Sequence, residues 1–435
     1  MLLIDKIKNR KAQIGVVGLG YVGLPLAVEK AKAGYIVTGF DIQKSRVDMV
    51  NQGHNYIGDI IDSELKYIVE QNLLRATTDF SKIEELDAVT ICVPTPLDNH
   101  YQPDISYVEN SSREIAKYIH KDMLIVLEST TYPGTTREIV LPILEASGLK
   151  CGQDFYLAFS PERVDPGNKL YNTKNTPKVV GGITEECTQI AAALYESVLE
   201  GEIHKVSSPE VAEMEKILEN TYRNVNIALA NEMAILCNRM NINVWEVIDA
   251  AKTKPYGFQA FYPGPGVGGH CIPIDPFYLT WKAREYDYHT RLIEVAGEIN
   301  NYMPEYTVER SMIILNGEGK ALNGSQVLIL GIAYKQDIDD MRESAALKVI
   351  ENLEKYGANV QYNDPYIPQY IDKKSGKKYL SVELTPDVLS KSDLVIVTTM
   401  HSCYDYNMIS ECSKVILDTK NAIKTVNNKC KIYKL

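Results

Sequence analysis

The chain is 435 residues long, 45% hydrophobic and 24% charged, with a net charge of −11 and a pI near 5.3. Such a length implies two or three domains, and the acidic balance argues against nucleic acid or an anionic membrane as the main partner. No stretch approaches the ~20 apolar residues of a membrane span. The first thirteen residues lack a signal-peptide core, and the eight cysteines show neither zinc-like pairing nor a disulfide scaffold. The expectation is a cytoplasmic protein without a metal.

Gln13 to Val17 reads as a short apolar strand, followed by the turn Gly18-Leu19-Gly20-Tyr21-Val22-Gly23 and a helix from about Leu24 to Ala33, with Gly34 as its cap. Ile36 to Phe40 forms the next strand and ends at Asp41. Further βα units carry strands at Ala88 to Val93, Met123 to Leu127, Phe155 to Phe159 and Lys178 to Gly181. Alternating strands and helical patterns imply a doubly wound parallel sheet, closing near Lys205. Ser207-Ser208-Pro209-Glu210 then starts a long helix, with a hydroxyl cap and Glu210 placed for a capping box. Its pattern runs to about Met240 and is apolar over much of its circumference, so it is buried between domains or between subunits. Around Asn323 the first pattern restarts. Gln326 to Leu330 is a strand, Gly331-Ile332-Ala333-Tyr334-Lys335 a turn, Ser344 to Tyr356 a helix capped by Gly357, and Asn359 to Tyr362 a strand before Asn363-Asp364-Pro365. Strands at Leu394 to Thr398 and Val415 to Asp418 complete the second copy. The fold class is therefore α/β, with two Rossmann-like doubly wound domains joined by a long central helix. The expected domains are 1–205, 206–316 and 317–435.

Gly18, Gly20 and Gly23 suit a tight turn, approach of a pyrophosphate to the helix N-terminus and close helix–strand packing. Asp41, 23 residues after Gly18, would accept hydrogen bonds from the adenosine ribose, so the cofactor is NAD rather than NADP. In the repeat Ala333 stands in place of Gly20, which suggests two nucleotide sites of different character.

The segment from Pro255 to Pro276 holds five glycines and five prolines and ends in Cys271 and Asp275. It is built to bring bare backbone close to something, and it displays a thiol there with a carboxylate four residues on. The bland alternative is an inert buried cysteine. Lys216, Asn220 and Asn224 form a polar stripe on the long helix; alone, it could be a solvated face. His270 invites a Cys-His reading, but neighbours in an extended loop usually point apart, and a structural role is favoured. Three further loops lie just past strand ends: Val93-Pro94-Thr95-Pro96, Glu128 to Thr135 and Ser160 to Gly167.

These segments together resemble the UDP-glucose/GDP-mannose dehydrogenase family over essentially the whole chain. The carrying motifs are GLGYVG (18–23), VPTP (93–96), STTYPGTT (129–136), SPERVDPG (160–167), EMEKILEN (213–220), GGHCIPIDP (268–276), and GIAYK with DDMRES in the last domain. Within that family the loop around Cys271 is most like that of bacterial UDP-N-acetylglucosamine 6-dehydrogenases of surface polysaccharide synthesis. Ile274 departs from the lysine typical of UDP-glucose enzymes.

The resemblance implies oxidation of the sugar C6 alcohol to a carboxylate with two NAD. By it, Lys216 and Asn220 stabilise the alkoxide and Cys271 holds the aldehyde as a thiohemiacetal and then a thioester. Asp275, Thr131 and Glu162 are the candidates to activate water for hydrolysis, with the base left open. Cofactor contacts would come from Gly18, Gly20, Tyr21, Val22, Gly23, Asp41, Arg46, Thr95, Thr131 and Arg342. Substrate contacts would come from Glu162, Arg163, Val164, Lys216, Asn220, Arg223, Gly268, Tyr334 and Lys335. The family further implies catalysis between the two lobes and a homodimer or larger assembly formed through the long helix. The rivals are the same chemistry on UDP-N-acetylmannosamine or UDP-glucose, a two-electron hydroxyacid-type dehydrogenase, and a non-catalytic nucleotide-sugar sensor.

Overall fold

Short runs of aliphatic and β-branched residues build the first sheet: β1 (Gln13–Val17), β2 (Ile36–Phe40), β3 (Leu74–Thr77), β4 (Ala88–Ile91), β5 (Leu124–Leu127), β6 (Tyr156–Phe159), β7 (Lys178–Gly182) and β8 (Ile203–Lys205). The computed structural model describes residues 1–435 except 59, 99–101, 166–167, 169, 270, 373 and 425–429. Strand order is β3-β2-β1-β4-β5-β6-β7-β8, parallel throughout except for the antiparallel pair β6–β7. β4 and β5 are buried at every position, as a parallel sheet covered on both faces requires. Ile14, Val16, Leu24 and Ala27 pack on one side of it, and Val17, Val89, Ile125 and Leu157 on the other.

The second sheet contains β9 (Gln326–Leu330), β10 (Asn359–Asn363), β13 (Leu394–Val397), β14 (Val415–Asp418) and β15 (Lys431–Lys434), while β11 (Gln369–Ile371) and β12 (Lys378–Leu380) form a small antiparallel hairpin. Its order is β10-β9-β13-β14-β15, all parallel. Each sheet reverses its strand order beside its first strand, at β1/β4 and at β9/β13, where open α/β sheets carry their ligands.

The chain divides into two units, Met1–Glu219 with Phe277–Tyr288, and Asn220–Pro276 with His289–Leu435. The helix Pro209–Arg239 is continuous through the boundary. Its cap is Ser208, whose Oγ accepts the Val211 N–H at 3.4 Å. Glu210 is thus one residue out of place for the expected capping box, and pairs instead with Arg137 Nε at 2.5 Å. The sequence pattern missed β3, β8, the hairpin, β15 and the helix Arg291–Gly317, whose interior Pro304 reads as a break.

The turn after β1 has little room for side chains. Gly18 has φ +92°, and a Cβ there would lie 2.5 Å from the Cys92 carbonyl oxygen; at Gly23 it would lie 1.8 Å from the Gly18 carbonyl oxygen. Both neighbours are backbone, so neither can yield without moving a strand. Gly23→Ala is therefore expected to cost about 3 kcal/mol of stability and to abolish NAD binding, read from the urea midpoint and from NAD-dependent thermal shift.

Candidate active site

The first glycine turn is closed by the carboxylate at the end of β2. Asp41 is buried; its Oδ2 accepts the Leu19 N–H at 3.1 Å and its Oδ1 the Gln43 N–H at 2.8 Å. Arg46 Nη1 lies 3.5 Å from Oδ2. A Cβ on Gly20 would meet nothing within 4 Å, so the turn is open where a pyrophosphate must approach the N-terminus of the helix Gly23–Lys32. Tyr21 is exposed and Val22 half-buried beside this opening. These residues fit a dinucleotide: glycine where backbone must be bare, and a carboxylate where the ribose would lie.

The two loops past β4 and β5 are bound together. Val93 N–H donates to Ser129 Oγ at 3.0 Å and Thr95 Oγ1 to the Thr130 carbonyl at 2.6 Å. The Tyr278 hydroxyl donates to the Thr95 carbonyl. Thr131 is buried, with its hydroxyl against Thr135 Oγ1 and the Tyr132 carbonyl. What holds this loop is Glu213 on the long helix. Its fully buried carboxylate accepts from Gly134 N–H at 2.6 Å, Thr136 N–H at 2.8 Å and Thr136 Oγ1 at 2.6 Å. Burial pushes this carboxyl up to about 7, against the pull of those three donors.

In the loop past β6, Glu162 turns on its own backbone, its Oε1 accepting from Arg163 and Val164 N–H at 2.8 Å each. Arg163 donates to the Pro177 carbonyl at 3.0 Å and pairs with Glu215 at 3.3 Å and with Glu219. Those two carboxylates flank Lys216 on the helix. Pro166 and Gly167 of this motif, and His270, lie outside the described residues.

The polar stripe of the long helix is not solvated. Lys216, Asn220 and Asn224 are 7%, 4% and 2% exposed, whereas Arg223 is exposed. No described residue accepts a hydrogen bond from Lys216 Nζ, and this nitrogen is not among the buried polar atoms left without a partner. Asn220 Nδ2 donates to Asp275 Oδ2 at 2.6 Å. Asp275 opens the helix Asp275–Ala283, and its N–H donates to the Cys271 carbonyl at 2.9 Å. The thiol of Cys271 is exposed, which removes the reading of an inert buried cysteine.

Within the second unit the glycines of the Cys271 loop have a use beyond a ligand. A Cβ on Gly268 would lie 2.8 Å from Tyr334 Cβ, and one on Gly269, at φ +90°, 3.1 Å from the Tyr334 ring. The Gly264 N–H is held by Asn231 Oδ1 at 3.0 Å, and Asn231 is tied through Asn300 to Asn224 at 2.9 and 2.7 Å. Lys335 follows Tyr334, and Arg342 is forked by Asp340, with Nη2 to Oδ2 at 2.6 Å. The turn after β9 repeats the first: Asp364 Oδ2 accepts from Ile332 N–H at 2.7 Å and Ala333 N–H at 3.0 Å. His401 Nδ1 accepts the Asp337 N–H at 3.0 Å, so its Nε2 donates to Asp364, at 3.1 Å.

Sequence reasoning overlooked Glu213, Asn231, Asn300, Asp364, His401 and Lys420. Lys420 Nζ would lie 2.7 Å from a Cβ on Gly264, and burial lowers its ammonium to about 8. Glu213 opens the EMEKILEN motif and Asp364 ends a strand as Asp41 does, so both carried a signal. Among the described residues, no group of three or more His, Cys, Asp or Glu side chains could hold a metal ion, and no helix is long and apolar enough to cross a membrane.

An open glycine turn closed by an acidic strand end, followed by a second lobe of the same build, is the architecture of a dinucleotide-binding protein with a second Rossmann-like domain. The family profiles agree. The NAD-binding, central and UDP-binding domains of the UDP-glucose/GDP-mannose dehydrogenase family match residues 12–199, 210–302 and 328–425. The chain is 38% identical to Protein CapL of Staphylococcus aureus, over 95% of this chain and 96% of that one. It is 38% identical to UDP-N-acetyl-D-glucosamine 6-dehydrogenase of Pseudomonas aeruginosa, over 82% and 83%. The structure of a UDP-D-ManNAc dehydrogenase from Pyrococcus horikoshii superposes with a TM-score of 0.88 at 34% identity, covering 97% of this chain and 98% of that one. The chain belongs to the UDP-glucose/GDP-mannose dehydrogenase family and is a NAD-dependent UDP-sugar dehydrogenase, which sets aside the hydroxyacid-type and sensor readings.

Folded Glu213 keeps its proton to about 7, whereas an unfolded glutamate releases it near 4.3. The folded state therefore binds more protons in that window, and stability falls as pH rises through it. The loss attributable to Glu213 is on the order of 3 kcal/mol. Glu213→Gln is expected to flatten the urea-midpoint profile between about pH 4.5 and 7; a variant profile parallel to the wild type would refute the assignment.

Proposed function

We propose that the enzyme oxidises the C6 hydroxyl of UDP-N-acetylglucosamine to the carboxylate, using two NAD, as a step in the supply of surface-polysaccharide precursors in the cytoplasm. The observation that carries this reading is the exposed Cys271 four residues before Asp275, itself hydrogen-bonded by Asn220. NAD supplies the acceptor for hydride in each half of the reaction. Lys216, whose side chain is largely buried, steadies the alkoxide as the C6 hydroxyl loses its proton. The Cys271 sulfur adds to the aldehyde carbon, with its proton ending on the new hydroxyl, to give a thiohemiacetal. Loss of a second hydride and of the hydroxyl proton leaves a thioester. Water then breaks the C–S bond and returns the thiol. Asp275 and Glu162 are the candidate carboxylates to position this water. Thr131 shapes the same loop region.

Arg163, Val164, Arg223, Gly268, Tyr334 and Lys335 are assigned to the UDP-sugar. The ammonium of Lys335 suits its diphosphate. Tyr21, Val22, Asp41, Arg46, Thr95 and Arg342 are assigned to NAD. The second reading is the manno epimer, supported by the likeness to the Pyrococcus UDP-D-ManNAc dehydrogenase.

The long helix also exposes Val211, Met214, Leu218, Tyr222, Leu229 and Leu236. At 100° per residue these fall on one face. We assign this stripe to a second copy of the chain, making a homodimer.

Incubation with NAD and each UDP-sugar should yield two NADH per UDP-N-acetylglucosamine. Cys271→Ser should lose complete turnover by at least about 100-fold. One NADH per sugar, indifferent to Cys271, would sink the mechanism; turnover of the manno epimer alone would move the assignment to it. Leu218→Asp with Leu229→Asp should halve the mass seen by light scattering, and an unchanged mass would remove the helix from the interface.

A further inference from the structure

Beneath the loops just described lies a buried charge cluster with no part in the chemistry so far. Lys178 opens β7 and is 5% exposed. Its ammonium donates to Glu128 Oε2 at 2.8 Å and to the Pro161 carbonyl at 3.2 Å, and stands 3.9 Å from Glu162 Oε2. Glu128, just past β5, is 1% exposed, and its other oxygen accepts the Tyr195 hydroxyl at 2.5 Å. The Tyr195 ring lies 5.1 Å from the same ammonium. A second buried cation, Lys30 of the helix Gly23–Lys32, donates to Thr90 Oγ1 at 3.1 Å.

An ammonium has three donors. One is given to Glu128, at the root of the threonine loop, and a second to the backbone of the 160–165 loop. The remaining face is turned to Glu162. A lysine serving only to neutralise Glu128 would need the first contact alone. The second and third fasten the loop that carries Arg163 and Val164, through the same glutamate whose Oε1 holds their N–H groups.

We propose that Lys178 is a positioning residue for substrate: its ammonium fixes the 160–165 loop against the root of the threonine loop and balances the charge of Glu162. The inference rests on the assignment of that loop to the UDP-sugar. It adds that the loop's geometry is set from beneath, by an ion the substrate never touches.

Lys178→Met alone strands the buried Glu128 and leaves the half-buried Glu162 without its cation, and is expected to unfold easily. The decisive variants are therefore charge-balanced: Lys178→Met with Glu128→Gln, and Lys178→Gln with Glu128→Gln, either of which decides once folded. Their thermal midpoints should return close to the wild type. The Arg163 and Val164 amides of the ligand-free protein should nonetheless exchange about tenfold faster. KM for the UDP-sugar should rise about tenfold, with KM for NAD changed less than about twofold. A folded variant with wild-type exchange at 163 and 164 overturns the proposal, as does a wild-type KM for the sugar. Exchange is read without turnover. A loosened loop in an enzyme that oxidises no UDP-sugar would therefore convict the functional reading, and leave loop-fastening by Lys178 intact.

Discussion

One constraint organises the molecule: polar side chains buried along a single helix must each find a partner. Glu213, Asn220, Asn224 and Asn231 are all 4% exposed or less. Each answers to a different segment: Glu213 to the threonine loop, Asn220 to Asp275, Asn224 to Asn300, and Asn231 to the backbone of Gly264. The threonine loop, Asp275 and the loop that carries Gly264 and Cys271 are segments to which chemistry is assigned. Not every polar atom of the helix finds a partner: Glu215 Oε2 and Thr221 Oγ1 are buried without a hydrogen-bond partner, and Lys216, the residue assigned to a charge that exists only during reaction, has no acceptor among the described residues.

The glycines divide into two uses that composition alone merges. Gly18 and Gly23 are required by the protein itself, since backbone stands where a Cβ would go. Gly268 and Gly269 are likewise spent on contact with Tyr334 and its neighbours. Gly20 is different: a Cβ there would meet nothing within 4 Å, which suits the pyrophosphate-facing role assigned to it. Glycine spacing shows that close approach occurs. Only coordinates show what approaches.

Much of the fold was legible because its signals are local. β1, β2, β9 and β14 begin and end where the apolar runs do, and the caps at Gly34 and Gly357 follow from their positive φ. β15 was not legible: Lys431-Ile432-Tyr433-Lys434 is a strand because β14 offers it an edge, not because of its own residues. Pro304 disguised a 27-residue helix. Of the site, the motif residues were legible as segments. Their roles as anchors were not, because Glu213 meets Thr136 across 77 residues and Asn231 meets Asn300 across 69. Lys178 read only as the first residue of a strand, since nothing local marks the carboxylates it would face.

The two lobes share a device, a carboxylate at the end of the second strand that accepts N–H groups from the turn after the first. The count differs. Asp41 takes the Leu19 N–H, and no described acceptor takes that of Gly20; Asp364 takes both Ile332 and Ala333. One turn therefore keeps a backbone donor in hand for an anion, whereas the other has already spent the corresponding donor internally. A phosphate brought to the second lobe meets the Ile332 and Ala333 donors already engaged with Asp364. Copying a fold thus did not copy a binding site, and the vacancy that separates them is a single hydrogen atom.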